Sequence, residues 1–347
     1  MKVLVTGATG FIGRRVVSRL CQAYGPANIT SLTFDTAASL LERTGRENLA
    51  RLGVKSVFVD LLTRSTLGEV PRSPDLVVHL ASCTDMGQPD HSINDVGTRH
   101  LIESIEPLPS SMHFVYASSI STSDYRDNLD VPVTEETLPD AACYNEYGRS
   151  KLRTVDYLTT LALRHGFALS IVRVSAVHGE GSRRGGLFDT VERPSWLASM
   201  LLRLNWPGKI SIAHVDDVAS LFVELSRRPR LLGNPQEVIA AVESPTLGEM
   251  AEAVSAAKGR KRATIVLPTA CWNAVRTMAR LRPHLERVLP HGLYNRLWQG
   301  FSLVNNQFWN ESRHLAKFDC ARSFHTYHAD CASRLRPAAP PIPRHQP

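Results

Sequence analysis

The sequence predicts an α/β protein, a doubly wound parallel sheet carrying a smaller C-terminal lobe. Three observations lead there. Strand and helix signals alternate from Lys2 to Val174, the order that builds parallel sheets through crossover helices. A glycine-rich turn, Gly7-Ala8-Thr9-Gly10-Phe11-Ile12-Gly13, separates the first apolar run from the first helical one. Beyond Val174 the pattern loosens into a Gly/Arg-rich loop and shorter segments.

Lys2–Val5 is apolar without a helical period, which suits a strand buried on both faces, and Arg14–Cys21 is helical. Gly7 turns the chain off the strand, and Gly10 removes a Cβ where a pyrophosphate would approach the backbone. Gly13 lets the helix pack close to the sheet. Free N–H groups and the dipole of the helix end attract phosphate. The predicted fold is therefore of Rossmann type, with Gly7, Gly10, Phe11, Ile12 and Gly13 around a dinucleotide.

Asn28–Phe34 reads as the second strand and ends at Asp35. A carboxylate there can bind both hydroxyls of an adenosine ribose and would repel a 2′-phosphate. Thr36-Ala37-Ala38 brings no compensating arginine, so NAD(H) is favoured over NADP(H). Lys55–Val59 is the third strand, ending in Asp60-Leu61 with Asp60 placed to face the adenine. Asp75–Leu80 is the fourth, and Leu80 and Ala81 line the path where the dinucleotide crosses. Asn94–Ser104 reads as a helix, His113–Tyr116 as the fifth strand running into Ala117-Ser118-Ser119, Tyr147–His165 as a long helix and Leu169–Val174 as the sixth strand. Gly179–Gly186 is a flexible loop, Arg193–Arg203 a helix and Lys209–Ala213 a strand; Glu237–Ala241 and Thr264–Leu267 read as strands of the lobe. Helical segments over Leu267–Trp309 are interrupted at Pro283 and Pro290, and the proline-rich Arg334–Pro347 reads as a disordered tail. These boundaries give a dinucleotide domain over 1–175, with 209–228 returning to it, and a substrate lobe over 176–208 and 229–333.

The chain has 347 residues, 43% of them hydrophobic, enough for one large domain with a lobe. No run of about eighteen apolar residues suggests a membrane span. The first strand begins at Lys2 and leaves no room for a signal peptide, so a cytoplasmic protein is expected. Cys21, Cys83, Cys143, Cys271, Cys320 and Cys331 are scattered without metal-ligand spacing and read as reduced thiols. The formal charge is +7. Its basic residues are dispersed and not interleaved with aromatics, which argues against nucleic acid and for a surface attracting anionic cofactors or substrates.

The sharpest local signal is Tyr147-Gly148-Arg149-Ser150-Lys151. Positions i and i+4 of a helix share a face. A nearby ammonium favours the phenolate and makes tyrosine a usable acid/base at neutral pH. Lysine can also bind a nicotinamide ribose, and a hydroxyl ending the fifth strand, Ser119 or Ser118, would hold the substrate oxygen.

With Gly7, Gly10 and Gly13, then Asp35, Asp60-Leu61, His79-Leu80-Ala81, Asn94, Gly97-Thr98, Ser118-Ser119, Tyr147 with Lys151, and His214-Val215-Asp216-Asp217-Val218 in this order, the chain resembles the extended short-chain dehydrogenase/reductases of the NAD-dependent epimerase/dehydratase type. The resemblance covers residues 1–225 well and the last third loosely. It implies that Tyr147 is the proton donor or acceptor, Lys151 its activator and a ribose ligand, and Ser119 the partner of the substrate carbonyl. Asn94 would belong to the relay ordering water and backbone around the lysine. Gly7, Gly10, Ile12, Asp35, Asp60 and Leu61 would contact the adenosine half, and a homodimer through the helices at Asn94–Ser104 and Tyr147–His165 is expected.

The departures bear on substrate. Many nucleotide-sugar members hold the substrate pyrophosphate with an asparagine after the sixth strand; here Ala176 stands there, in Arg173-Val174-Ser175-Ala176-Val177-His178-Gly179. Losing a partner for a buried phosphate costs about 1.5–3 kcal/mol. This form resembles the sterol-dehydrogenase-like and carbonyl-reductase branches. Ser121–Tyr125 replaces the usual Val-Tyr-Gly turn. Thr84, Ser121, Ser175, Val177 and His178 are the candidate substrate contacts. His178 and His214 are read as serving structure or substrate contact, Asp216-Asp217 as helix caps, and Cys143 as a bystander. Trp272, Val275, Met278, Leu281, Leu297, Trp298, Phe301, Phe308 and Trp309 are read first as core packing, then as pocket lining, last as a peripheral membrane contact. The expected function is an NAD(H)-dependent ketone/alcohol oxidoreductase on a non-nucleotide, fairly apolar small molecule. The alternatives are a redox-neutral nucleotide-sugar epimerase or dehydratase with tightly bound NAD, and a non-catalytic NAD-binding regulator.

Overall fold

The computed structural model describes residues 1–34, 40–85, 88–123, 132–137, 146–182, 186–278, 282–290, 293, 311–318 and 323–335. Seven strands form one parallel sheet: β1 (Val3–Thr6), β2 (Ile29–Thr33), β3 (Lys55–Phe58), β4 (Leu76–His79), β5 (His113–Ser119), β6 (Ala168–Val174) and β9 (Gln236–Ala240). Their order is β3-β2-β1-β4-β5-β6-β9. The order reverses between β1 and β4, opening a crevice at the carboxyl ends of these two strands where doubly wound sheets bind ligands.

Side chains alternate along each strand and sort onto two faces. On one face Val3, Val5, Val78, Val115, Val172 and Val238 pack with Val16, Val17 and Leu20 of α1 (Gly13–Tyr24) and with Val218, Phe222 and Leu225 of α7 (Val215–Arg227). On the other, Leu4, Val77, Phe114, Tyr116 and Ile171 pack with Leu101 and Ile102 of α3 (Ser92–Ile105) and Leu158 of α4 (Glu146–His165). Helix α2 (Leu40–Leu52) follows β2.

A third core belongs to the lobe, where Phe188 and Val191 of α5 (Leu187–Glu192) meet Met250, Ala251 and Val254 of α8 (Leu247–Ala257) and Phe324 of α11 (Phe324–Leu335). Beside it β7 (Ala176–His178) pairs in parallel with β8 (Ile212–His214). Helices α9 (Thr269–Met278) and α10 (Arg282–Val288) follow, the second starting beside Pro283 and ending before Pro290.

Four expectations are corrected. The helix expected over Arg193–Arg203 is shorter, α6 (Trp196–Leu201), because Pro194 cannot continue α5 and Ser195 caps a new helix by accepting the Ala198 N–H. The strand expected over Lys209–Ala213 starts later, at Ile212. The strand near Glu237–Ala241 joins the main sheet beside β6 instead of the lobe, tied there by Gln236, whose Nε2 donates to Ser170 Oγ at 2.5 Å. Thr264–Leu267 forms only a bridge, Ile265 to Leu204. Trp272 is buried against the Trp206 ring, 5.2 Å away, in accord with core packing. Cys143, Leu281, Leu297, Trp298, Phe301, Phe308, Trp309 and residues 336–347 of the expected tail lie outside the described residues. No described helix is long and apolar enough to cross a membrane.

Candidate active site

The glycine turn and the end of β4 meet at the sheet's switch point. Gly7 has φ +68°, and a Cβ there would come within 2.7 Å of the Ala81 nitrogen and the Leu80 carbonyl carbon. A Cβ on Gly13 would collide with the Gly7 carbonyl oxygen. The Gly10 N–H closes the turn on that oxygen at 3.1 Å. The Phe11 ring lies under the Arg15 guanidinium, 5.2 Å away. Helix α1 starts behind Ile12 with no side-chain cap and no acidic residue in its first turn, so its positive end stays open to an anion. In that turn Arg14 buries an Nε with no hydrogen-bond partner. Burial and the charge of Arg15 both lower its pKa. An orphaned guanidinium N–H and a cradle that any Cβ would fill fit the diphosphate of a dinucleotide.

The backbone on the far side of this crevice is fixed by a neutral histidine. Thr98 spends its hydroxyl proton on the Asn94 carbonyl at 2.6 Å, so it must accept from His79 Nε2, 2.8 Å away. His79 Nδ1 then carries no proton and accepts the Thr6 hydroxyl at 2.7 Å. Thr6 Oγ1 in turn accepts the Leu80 and Ala81 N–H groups at 3.1 and 3.0 Å. Burial, helped by the Lys151 charge, pushes the His79 pKa down to about 3, the same neutral form.

Helix α4 packs on β5 and on the turn Ile120–Thr122. This places Tyr147 and Lys151, one turn apart, over the carboxyl end of β5. Both are buried. The Lys151 ammonium donates to the Ala117 carbonyl at 2.7 Å and sits 4.9 Å from the Tyr116 ring centre. Burial lowers its pKa to about 7. The next residues on the strand carry hydroxyls: Ser118 Oγ is buried without a partner, and Ser119 Oγ accepts the Ser121 N–H at 3.1 Å. That acceptance leaves the Ser119 hydroxyl proton uncommitted among the described bonds. The ring of His91 lies 5.5 Å from that of Tyr147, and its Nδ1–H donates to the Cys83 carbonyl at 3.2 Å.

Asn94 is buried at the foot of this group but does not touch the lysine through any described bond. Its Oδ1 accepts from Ser82 Oγ and the Cys83 N–H, both at 2.9 Å, and its Nδ2 donates to Ser150 Oγ at 2.9 Å. Ser150 Oγ donates to the Tyr147 carbonyl at 2.8 Å. Asn94 therefore joins the 82–83 segment to the helical turn bearing Tyr147.

The remaining residues scatter. Asp60 turns both carboxylate oxygens to its own loop, accepting from the Leu62 N–H at 2.9 Å and Thr63 Oγ1 at 2.8 Å. Leu61 is buried, and Leu80 and Ala81 are half-buried at the crevice. Asp35 lies outside the described residues. Among the substrate candidates, Thr84 is exposed and Val177 half-buried. Ser121 is bound to Ser119, while Ser175 gives its proton to the Ala240 carbonyl at 2.5 Å. His178 is fully buried in an aromatic nest, 4.9 Å from the Phe324 ring and 5.1 Å from that of His214. Asp216 binds Arg15 and Arg19 at 3.3 and 3.2 Å at the start of α7. Among the described residues no cluster of His, Cys, Asp and Glu could hold a metal ion. Sequence reasoning missed Thr6, Arg14 and His91. Thr6 carries a signal that could have been read, a hydroxyl just before the first glycine, in register with His79.

A family profile described as "NAD dependent epimerase/dehydratase family" matches residues 3–241. The curated UDP-2-acetamido-2,6-beta-L-arabino-hexul-4-ose reductase of Pseudomonas aeruginosa is 27% identical over 266 residues, 73% of this chain and 56% of that protein. The chain thus spans little more than half of that relative. GDP-6-deoxy-D-mannose reductase of the same species is 25% identical over 237 residues, 65% of this chain and 70% of that one. Among solved structures, a UDP-glucose 4-epimerase from Thermotoga maritima holding UDP-glucose superposes with a TM-score of 0.67 at 16% identity, covering 96% of this chain and 98% of that one. RMD from Pseudomonas aeruginosa complexed with NADPH gives 0.63 at 16%, covering 96% and 98%. With a profile matching 3–241 on a seven-stranded parallel sheet, the chain belongs to the NAD-dependent epimerase/dehydratase family of extended short-chain dehydrogenase/reductases.

Proposed function

We propose that this chain is an NAD(H)-dependent reductase or dehydrogenase interconverting a ketone and an alcohol on a non-nucleotide, fairly apolar small molecule. The observation that carries the reading is the Lys151 ammonium held 2.7 Å from the Ala117 carbonyl, beside Tyr147 and two strand-end hydroxyls with protons to give. When bound, the nicotinamide dinucleotide supplies or accepts hydride at its ring carbon C4. The glycine turn, the open end of α1 and Arg14 hold its diphosphate, and Leu80 and Ala81 line its path. Ser119 donates to the substrate oxygen and orients it, while Tyr147 delivers or removes the oxygen's proton. Lys151 stabilises the phenolate form of Tyr147 by its charge. The two curated relatives named above are reductases, which supports net redox chemistry. Their substrates are sugar nucleotides by name, whereas Ala176 offers no side-chain donor to a pyrophosphate. The homodimer through α3 and α4 belongs to the same proposal.

The test is to denature the purified protein, identify any released nucleotide, and titrate the emptied chain with NADH and NADPH. NADH is expected to bind exchangeably and more tightly than NADPH. Tyr147→Phe is expected to lower turnover of an apolar ketone about 10²–10⁴-fold while NADH still binds. Stoichiometric retained NAD without net turnover would replace this reading with a redox-neutral epimerase or dehydratase.

A further inference from the structure

The lobe carries an apolar surface that the chemistry above does not use. Helix α6 buries none of its residues. Trp196 is 77% exposed, Met200 58% and Leu197 51%. This helix leads into Leu204, which bridges to Ile265; the Ile265 N–H also donates to the Arg203 carbonyl at 2.7 Å. The bridge sets Val266, 75% exposed, on the same side of the lobe as the end of α6. Such a group of large apolar side chains is more than the scattered single residues usual on a soluble surface.

The charge around it is predominantly basic. From Arg193 to Val215 the sequence has three Lys/Arg and no Asp or Glu, and from Lys258 to His284 it has seven and none. The bridge joins these two stretches. Arg203, Arg260 and Lys261 are exposed, and no described carboxylate pairs with them. Arg203 approaches Arg262 closely enough for their charges to repel. Acidic groups border it at Asp189, 3.8 Å from Arg193, at Glu192, whose charge faces Arg193 and Lys258, and at Glu252 beside Arg262. Exposed Trp, Leu, Met and Val on stretches rich in exposed Arg and Lys match an interface where acyl chains lie under anionic headgroups.

We propose that α6 and the 263–266 segment dock this protein on an anionic lipid surface, with Trp196, Met200 and Val266 entering the headgroup boundary and Arg203, Arg260 and Lys261 meeting lipid phosphates. The proposal stands apart from the reaction assigned above. Co-sedimentation of the full chain with vesicles tests it, using phosphatidylcholine alone and phosphatidylcholine with phosphatidylglycerol, at low and high salt. The expected result is binding to the anionic vesicles that weakens with salt. The double variant Trp196→Ser/Val266→Ser should bind about tenfold more weakly. Arg260→Gln/Lys261→Gln should lose the preference for phosphatidylglycerol. Both should unfold at the wild-type temperature, since surface changes leave stability nearly unaltered. Absence of sedimentation at low salt, or equal binding by wild type and both variants, overturns the proposal. So does light scattering that shows a dimer which Trp196→Glu converts to monomer, because the face would then belong to a second copy.

Discussion

The crevice between β1 and β4 and the outer face of the lobe handle side chains in opposite ways. In the crevice the polar groups around His79 each have a partner: Thr98 gives to Asn94, His79 to Thr98, Thr6 to His79, and the backbone of 80–81 to Thr6. On the outer face Trp196 and Val266 are largely exposed, on stretches whose charged side chains are all basic. The first region holds a shape in advance of any ligand, and the second presents chemistry that needs a partner to be covered. A substitution should therefore be costly in the crevice and cheap on the face.

The largest effect is expected at Gly13. In Gly13→Ala the new methyl meets the Gly7 carbonyl, and neither can move without shifting the turn. Overpacking of this kind costs about 1–3 kcal/mol. Calorimetry should show a clear drop in the unfolding temperature, together with lost dinucleotide affinity. Next is His79→Leu, which keeps the volume but leaves two buried hydroxyls without their partner. An unpaired buried group costs about 1–3 kcal/mol, measurable by urea denaturation. A loss below that range would mean that the hydroxyls find new partners and that the crevice is softer than its hydrogen bonds suggest.

A third effect is a slope with pH. Burial holds the Lys151 pKa at about 7 against an ordinary 10.5. The folded state therefore binds fewer protons than the unfolded state between these pH values, and stability rises with pH there. The penalty is fully present below about pH 7 and is lifted as pH climbs towards 10.5. Wild type should accordingly gain on Lys151→Met across that window, read as the difference in unfolding temperature. A flat difference would show that the ammonium is already solvated.

The same contrast explains what could be read from the sequence. The crevice was legible because its constraints are local: a glycine turn between a strand and a helix, or a tyrosine and a lysine one helical turn apart. Seven parallel strands likewise announce themselves as apolar runs. β9 was assigned to the wrong neighbourhood because a strand's run of Val, Ile and Ala says that it is buried, not beside which strand. The late start of α6 is visible in Pro194 and Ser195, but the surrounding Leu and Met extend the helical pattern past both ends. His91 was not legible, since its place against Tyr147 depends on how α3 meets α4. Neither was the idle Arg14 Nε, whose lack of a partner exists only in three dimensions.

Glu135 carries a last consequence. Its carboxylate accepts the Ile239 N–H of β9 at 3.0 Å, and also Ser312 Oγ at 2.6 Å and the Arg313 N–H at 3.0 Å. A few residues further on, Leu315 and Phe318 are buried in the core on the α1 and α7 side of the sheet. The stretch that matches the family profile stops at residue 241, so an excised fragment 1–241 would lose two of that carboxylate's three described donors and two plugs from its hydrophobic interior. The stretch recognisable from sequence is thus shorter than the unit of folding: it closes only when a distant piece of the polypeptide returns to it.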